Sequence, residues 1–220
     1  MFTIVRKRQT FLVVMAAAVG AVLCCGCSDN GIGGAFYEQK LANIERDDIS
    51  RYNTVPIGTQ WWITRNLDIK TGISWCYDNN ESNCNQYGRL YDWNTAMKIC
   101  PSGWHLPSRE EWQTLVDYVE KEYGYGAGRH LKAKNGWNDN GTDIVGFSAL
   151  PGGYRYDGGS FGYAGHYGGW WAATDYDGGS AYYRDMGYYL EDVNELNPND
   201  DVHEGDCGKG GGYSVRCVKD

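Results

Sequence analysis

Positive charge is scarce in this chain. Its 220 residues carry 20 Lys and Arg against 28 Asp and Glu, a formal net charge of −8, which excludes a generic binder of nucleic acid or other polyanions. Long apolar stretches are also lacking. The most apolar one, Phe11 to Leu23, spans about 20 Å as a helix at about 1.5 Å per residue, short of a hydrocarbon core about 30 Å thick. A permanent transmembrane anchor is therefore the weaker reading. Histidine is limited to His105, His130, His166 and His203, which share no local motif. A nucleophilic or acid–base enzyme needs a base within reach of a nucleophile and a third group to orient it, and no stretch displays that set. His105, in the string WHLP, reads as a structural hydrogen-bonding residue. The glycine pairs do not follow a strand-then-helix pattern, so they read as turns and not as a phosphate-binding loop.

What is present is a hydrophobic fraction of 42%, enough for one ordinary core, together with 31 Gly, 18 Tyr and 9 Trp. Glycine stands at roughly twice its average usage. That composition describes a loop-rich domain in which aromatic rings supply much of the buried volume.

The N-terminal segment reads as an export signal. Arg6, Lys7 and Arg8 precede the apolar run and no acidic residue does, the arrangement of a secretory n-region and h-region. Loss of this segment would leave the remainder more acidic still. The run ends in Cys24-Cys25-Gly26-Cys27-Ser28, which resembles the lipobox of bacterial lipoproteins with Cys27 as the acylated residue. It departs from that pattern in having Cys24 where Leu is typical, so Cys24 or Cys25 are alternative acceptors, and signal cleavage without lipidation is a further alternative. Two or more acyl chains on one cysteine give stable anchoring. Residues 1–27 are thus expected to be signal and lipobox, and 28–51 a polar tether.

The remaining cysteines are Cys76, Cys84, Cys100, Cys207 and Cys217. In an exported domain disulfides are the default, and an odd count leaves one thiol over. LYDWNTAMKICP predicts a helix starting at Asp92 and ending before Pro101, with Trp93, Ala96, Met97 and Cys100 on one face. GGYSVRCVKD alternates like a half-buried strand, with Tyr213, Val215 and Cys217 inward and Ser214, Arg216 and Val218 outward. Both cysteines then point inward, and a Cys100–Cys217 bridge would contribute on the order of 4 to 5 kcal/mol by loop closure. Cys76 and Cys84, on either side of the turn-forming YDNNESN, are candidates for a local bridge, which leaves Cys207 as the odd thiol. LPSREEWQTLVDYVEKEYG predicts a second helix with a Ser108/Glu111 capping box and a buried row of Trp112, Leu115, Val116 and Val119. Beyond Gly124 the chain is short aromatic segments broken by Gly, Asn and Asp. The fold class is α+β: two early helices, short antiparallel strands and long irregular loops.

The strings YGRLYDWNTAM, CPSGWHLPSREEW, GFSALPGGYR, WWAAT and GYSVRCVKD, in that order, resemble the Fibrobacter succinogenes major paralogous domain, over residues 52–220. That family is similar to C-type-lectin-like folds, in which an early helix is commonly disulfide-linked to the last strand. GWHLPSREEW also resembles a helix start in formylglycine-generating, sulfatase-modifying domains. Those enzymes need a late cysteine pair, and here the late cysteines are Cys207 and Cys217 alone, so this enzyme reading is the weakest.

Two kinds of binding site suggest themselves. Hard cations need several closely spaced oxygens, and Asn138, Asp139, Asn140 and Asp143 form one such segment, Asp175 and Asp177 another. Calcium is thus a possible cofactor, although tight turns have the same composition. Sugar rings stack on aromatic side chains, and the candidates are Tyr154, Tyr156, Tyr163, Tyr167, Trp170 and Trp171. Tyr156 and Tyr163 are expected to be exposed, and at least one of Trp170 and Trp171 to be buried, since neighbours in a strand face opposite ways. The expected function is a non-catalytic, ligand-binding lipoprotein held in the cell envelope, at the outer membrane or cell surface. Its partner is a polysaccharide or, alternatively, another envelope protein for which it serves as scaffold. Cells fed radiolabelled palmitate should yield a labelled chain that protease shaving removes. Cys27→Ser should abolish the label; label that persists moves the attachment to Cys24 or Cys25.

Overall fold

A computed structural model describes residues 49–187 and 201–220. The expected signal, Cys24, Cys25, Cys27 and the tether up to residue 48 lie outside the described residues. The first strands form a hairpin, β1 (Thr54–Ile57) and β2 (Gln60–Ile63). Then come β3 (Ser74–Trp75), α1 (Glu81–Tyr87), β4 (Leu90–Tyr91), α2 (Trp93–Ile99), β5 (Trp104–His105), α3 (Arg109–Tyr123) and α4 (Ala127–Leu131). A long irregular stretch leads to β6 (Tyr154–Arg155), β7 (Phe161–Gly162), β8 (Tyr167–Asp175), β9 (Ser180–Gly187), β10 (His203–Gly208) and β11 (Val218–Lys219). The sheets have the orders β1-β2-β11-β5, β10-β9-β8, β3-β4 and β6-β7, and each strand pair is antiparallel. The class is α+β.

α3 forms where its capping box predicts. Ser108 Oγ accepts from the Glu111 N–H at 3.1 Å, Glu111 Oε2 accepts from the Ser108 N–H at 2.8 Å, and Trp112, Leu115, Val116 and Val119 are buried. α2 forms behind an Asp92 cap but is rotated from the expected face: Ala96 and Ile99 are buried, whereas Met97 is 42% exposed. The reason is the Trp93 indole, which donates to the Ala172 carbonyl at 2.8 Å and sets the rotation of a two-turn helix against β8. Two further helices, α1 and α4, add to the two expected. α1 arises because Asn80 caps the middle of the stretch read as a turn, its side chain accepting from the Ser82 N–H at 3.1 Å.

Both expected disulfides form, Cys100–Cys217 with a sequence separation of 117 and Cys76–Cys84 with a separation of 8. Among the described residues Cys207 is the free cysteine. By loop closure the long bridge contributes about 5 kcal/mol and the short one about 2 to 3.

The core is double. One apolar cluster gathers α3 and α4 with Ile57, Trp62, Phe147, Trp170 and Val218. The other gathers Ile63, Leu67, Tyr91, Ile99, Trp171, Tyr213, Val215 and Cys217. A wall of three extended segments runs between them, and period-2 alternation sends neighbours to opposite clusters: Trp62 and Ile63, Trp170 and Trp171, Val218 and Cys217. This corrects the expectation for the segment at 211–220. Ser214, Arg216 and Val218, expected outward, are all buried, because that segment has a cluster on each side and no solvent face.

Arg216 is the polar hub of the wall. It is 0% exposed; its Nε donates to Asn66 Oδ1 at 2.7 Å, and its terminal nitrogens donate to the carbonyls of Ile63 at 3.0 Å, Phe147 at 2.6 Å and Ser148 at 2.7 Å. Burial pulls the guanidinium pKa down to about 9, with the charge of Asp143 opposing, so it stays protonated at neutral pH. Asn66 also accepts from the Trp170 indole at 2.9 Å and donates to the Tyr87 carbonyl at 2.8 Å and Ser214 Oγ at 3.2 Å. Replacing Arg216 by Met should leave several buried acceptors unpaired and lower the unfolding free energy by about 3 kcal/mol or more, measured by urea denaturation of the oxidised chain. A loss below about 1 kcal/mol would show that the hub is not structural.

Candidate functional site

The most distinctive surface is built on the β6–β7 hairpin, with Tyr154 opposite Gly162 and Arg155 opposite Phe161. Asp157, Gly158 and Gly159 make its turn, closed by the Tyr156 N–H on the Ser160 carbonyl at 2.8 Å. Its base is clamped: Arg155 exchanges two backbone hydrogen bonds of 2.9 Å with Gly212, and the Gly153 N–H donates to the Tyr167 carbonyl at 2.7 Å. Glycine is required at 153, where φ is +64° and a Cβ would stand 2.4 Å from the Gly162 carbonyl oxygen.

Tyr156 is 43% and Tyr163 is 45% exposed, as their turn setting predicts. Between them lies Tyr154, its ring centroid 4.8 Å from Tyr156 and 5.7 Å, stacked, from Tyr163. The Tyr154 hydroxyl donates to the Tyr156 hydroxyl at 2.7 Å. On its inner side Tyr154 stacks on Tyr213 at 5.7 Å, and Tyr213 stacks on Tyr183 at 4.6 Å, so one column of rings runs from solvent into the core. Burial pushes the Tyr213 hydroxyl well up and the Tyr183 hydroxyl up, which keeps both neutral. Tyr163 holds a left-handed backbone, φ 68°, uncommon for a bulky residue; its carbonyl accepts from the His166 and Tyr167 N–H groups, each at 3.0 Å.

Beside the column, the Arg155 guanidinium lies 4.0 Å over the Trp75 ring, and Tyr77 packs on Phe161 at 5.4 Å. Arg155, Trp75, Tyr77 and Phe161 are the members that sequence reasoning missed. The Gly and Asp residues of PGGYRYDGG signal a turn, but nothing local shows that Trp75 and Tyr77 come to meet it.

Trp170 and Trp171 do not belong to this surface. Both are 0% exposed, which corrects their candidacy as ligand-stacking residues: β8 lies between the two clusters, so each face of the strand is buried. Among the acidic candidates, Asp143 accepts from the Ser148 N–H at 2.7 Å and the Ser148 hydroxyl at 2.5 Å. Asp139 is exposed, with its carbonyl 3.5 Å from Lys132 Nζ. Asp177 accepts from the Gly179 and Ser180 N–H groups at 3.1 and 2.8 Å. Asp175 pairs with Lys209 and accepts from the Gly178 N–H, and these bonds hold its carboxyl below the usual range. The second pair and Asp143 thus fasten turns. Among the described residues the group of acidic, Cys and His side chains close enough to share an ion is Cys76, Glu81 and Cys84, whose two sulfurs are bonded to each other.

Residues 55–219 match the model of the Fibrobacter succinogenes major domain. The chain belongs to that family. The matched span covers both disulfides, the tyrosine column and both core clusters apart from Tyr52, which packs into the second cluster from outside it. No curated protein and no solved structure matches the chain.

His105 joins this unit's β5, α3 and residue 220. Its Nδ1 lies 2.7 Å from Asp220 Oδ1 and its Nε2 2.9 Å from Glu111 Oε1. Burial lowers the imidazole pKa, but the two carboxylate hydrogen bonds and charges outweigh it, and the net shift is upward from 6.5. For Glu111, burial raises the value, yet the bonds from Ser108 and His105 prevail and bring it below 4.5. A raised histidine pKa contributes stability that is full below the unfolded value and is lost as pH rises through the folded one. The melting-temperature gap between the native chain and His105→Asn should therefore be wider near pH 5.5 than near pH 9. Equal gaps would mean that the imidazolium is not what the two carboxylates hold.

Proposed function

We propose that this is a membrane-tethered, C-type-lectin-like binding domain, non-catalytic, which takes carbohydrate on the platform of Tyr154, Tyr156 and Tyr163. The observation that carries this reading is Tyr163: a bulky aromatic side chain held half exposed on a left-handed backbone, at a cost on the order of 1 kcal/mol or more. Core packing does not require it, since the ring faces solvent; what the strain achieves is to set Tyr163 parallel to Tyr154 with Tyr156 alongside. Aromatic faces of this kind stack on the apolar faces of pyranose rings, while phenol hydroxyls bond to sugar hydroxyls.

Rigidity supports the reading as well. Tyr154 is stacked into the core and the hairpin is clamped at its base, so little side-chain entropy is lost on binding. The reading requires no calcium, because the stacking faces are aromatic and Asp143, Asp175 and Asp177 already fasten turns. Lipid attachment at Cys27 would present the platform at the envelope surface, where polysaccharide is met.

Binding to insoluble cellulose and to a glycan array should weaken at least about tenfold in Tyr163→Ala and Tyr156→Ala, with melting temperature unchanged and no effect of EDTA. Glycan binding that survives both substitutions would move the site elsewhere. Absence of glycan binding, with cross-linking of a protein at these tyrosines, would replace this reading with an envelope scaffold.

A further inference from the structure

The surroundings of the Cys76–Cys84 bridge suit its reduced form better than its oxidised one. Arg89 is 5% exposed, and its Nη1 stands 3.3 Å from Cys76 Sγ and 3.4 Å from Cys84 Sγ. Its Nε and Nη2 are held by the Ser74 hydroxyl and carbonyl at 3.1 and 3.2 Å, so the guanidinium is aimed at the sulfurs. A disulfide sulfur is a poor acceptor for such a donor; a thiolate is a strong one. Glu81 Oε2 lies 3.3 Å from Cys76 Sγ and 3.7 Å from the same Arg89 Nη1, so the arginine pairs with a carboxylate beside the bridge, and that carboxylate can accept an S–H from Cys76 once the bridge is open. The other bridge has no comparable cation on its sulfurs among the described residues, and it closes a loop of 117 residues against 8.

We propose that Cys76–Cys84 is a thiol–disulfide exchange site whose substrate is an external dithiol, and that its state governs the tyrosine platform. A thiolate of the dithiol attacks one sulfur and the Cys76–Cys84 bond breaks. The second thiolate of the dithiol resolves the mixed disulfide and leaves joined to the first. Two electrons pass to the cysteines, and the dithiol has released two protons. One resides on Cys76, whose S–H is accepted by Glu81. The other goes to solvent, because Cys84 stays a thiolate against Arg89. The same arginine disfavours a zinc-type cation between the sulfurs, so the cluster of Cys76, Glu81 and Cys84 reads as a redox pair and not as a metal site.

The link to the platform is covalent neighbourhood. Trp75 and Tyr77 flank Cys76; Trp75 carries Arg155 at 4.0 Å, and Tyr77 packs on Phe161 at 5.4 Å. Opening the bridge frees the segment that supports the β6–β7 hairpin from underneath. This regulatory half rests on the platform reading; the exchange chemistry does not.

The test uses the full chain equilibrated with graded dithiothreitol ratios, alkylated and mapped by peptide mass spectrometry. Cys76–Cys84 should open at a ratio at least about tenfold more oxidising than Cys100–Cys217. Arg89→Gln should shift its equilibrium toward the disulfide by about tenfold, and Arg89→Lys, which keeps the charge, by much less. Bridges that open together, or an equilibrium indifferent to Arg89→Gln, would overturn the exchange site. In chain with the short bridge alone reduced, amides of residues 153–164 should exchange hydrogen at least about tenfold faster while those of α3 do not change. Unchanged hairpin exchange would overturn the coupling. Neither readout uses a glycan, so failure of carbohydrate binding stays distinguishable from failure of this proposal.

Discussion

Arg216 brings a full positive charge into the interior and meets carbonyl oxygens there instead of a carboxylate. The arrangement works because each acceptor is already a fixed part of the backbone or of Asn66, so the guanidinium is solvated by the fold itself. Its partners come from β2, from Phe147 and Ser148, and through Asn66 from β8 and the end of α1. Hydrophobic alternation alone would let an extended segment slip by two residues and still bury the same kinds of side chain. One arginine with four fixed acceptors permits a single register, and that register is what places Cys217 opposite Cys100 and Tyr213 beneath Tyr154.

Much of the local structure was legible because local signals decide it. The capping box of Ser108 and Glu111, the Asp92 cap, the cysteine separations and the turn chemistry of YDGGS act over a few residues and need no knowledge of the rest of the chain. The failures share a different cause. Ser214 and Arg216 were assigned an outward face by period-2 logic, and the same logic left one of Trp170 and Trp171 free to face solvent; it holds for a strand with one wet side. A wall with a cluster on each side has none, and nothing in the strand itself reveals the second cluster. Met97 missed its face for a related reason, since the indole of Trp93 found a carbonyl on a strand some eighty residues away. The exposed part of the site, Tyr156 and Tyr163, could be read from turns. Its supporting part, Trp75, Tyr77 and Arg89, could not, because it is assembled by tertiary packing.

Support and display are separated in this domain. Tyr163 and Tyr156 face solvent, yet their positions are set by stacking through Tyr154 onto Tyr213 and by the pairing of Arg155 with Gly212. A surface braced in this way tolerates variation of its outer rings while the inner ones hold the geometry, so two or three exposed positions can be substituted without reworking the core.

Residues 212–219 touch every sheet: Gly212 pairs with Arg155, Tyr213 with Tyr91, Ser214 with Trp170, and Val218 with both Trp62 and His105. Each partnership joins segments far apart along the chain, which makes for slow folding, and the β1-β2-β11-β5 sheet is not complete until this stretch has arrived. The Cys100–Cys217 bridge and the Arg216 bonds also wait for this stretch, so the locking of the unit comes after most of residues 49–211 have been made. For any chain that must pass through a narrow conduit before taking up its shape, such delay keeps it threadable.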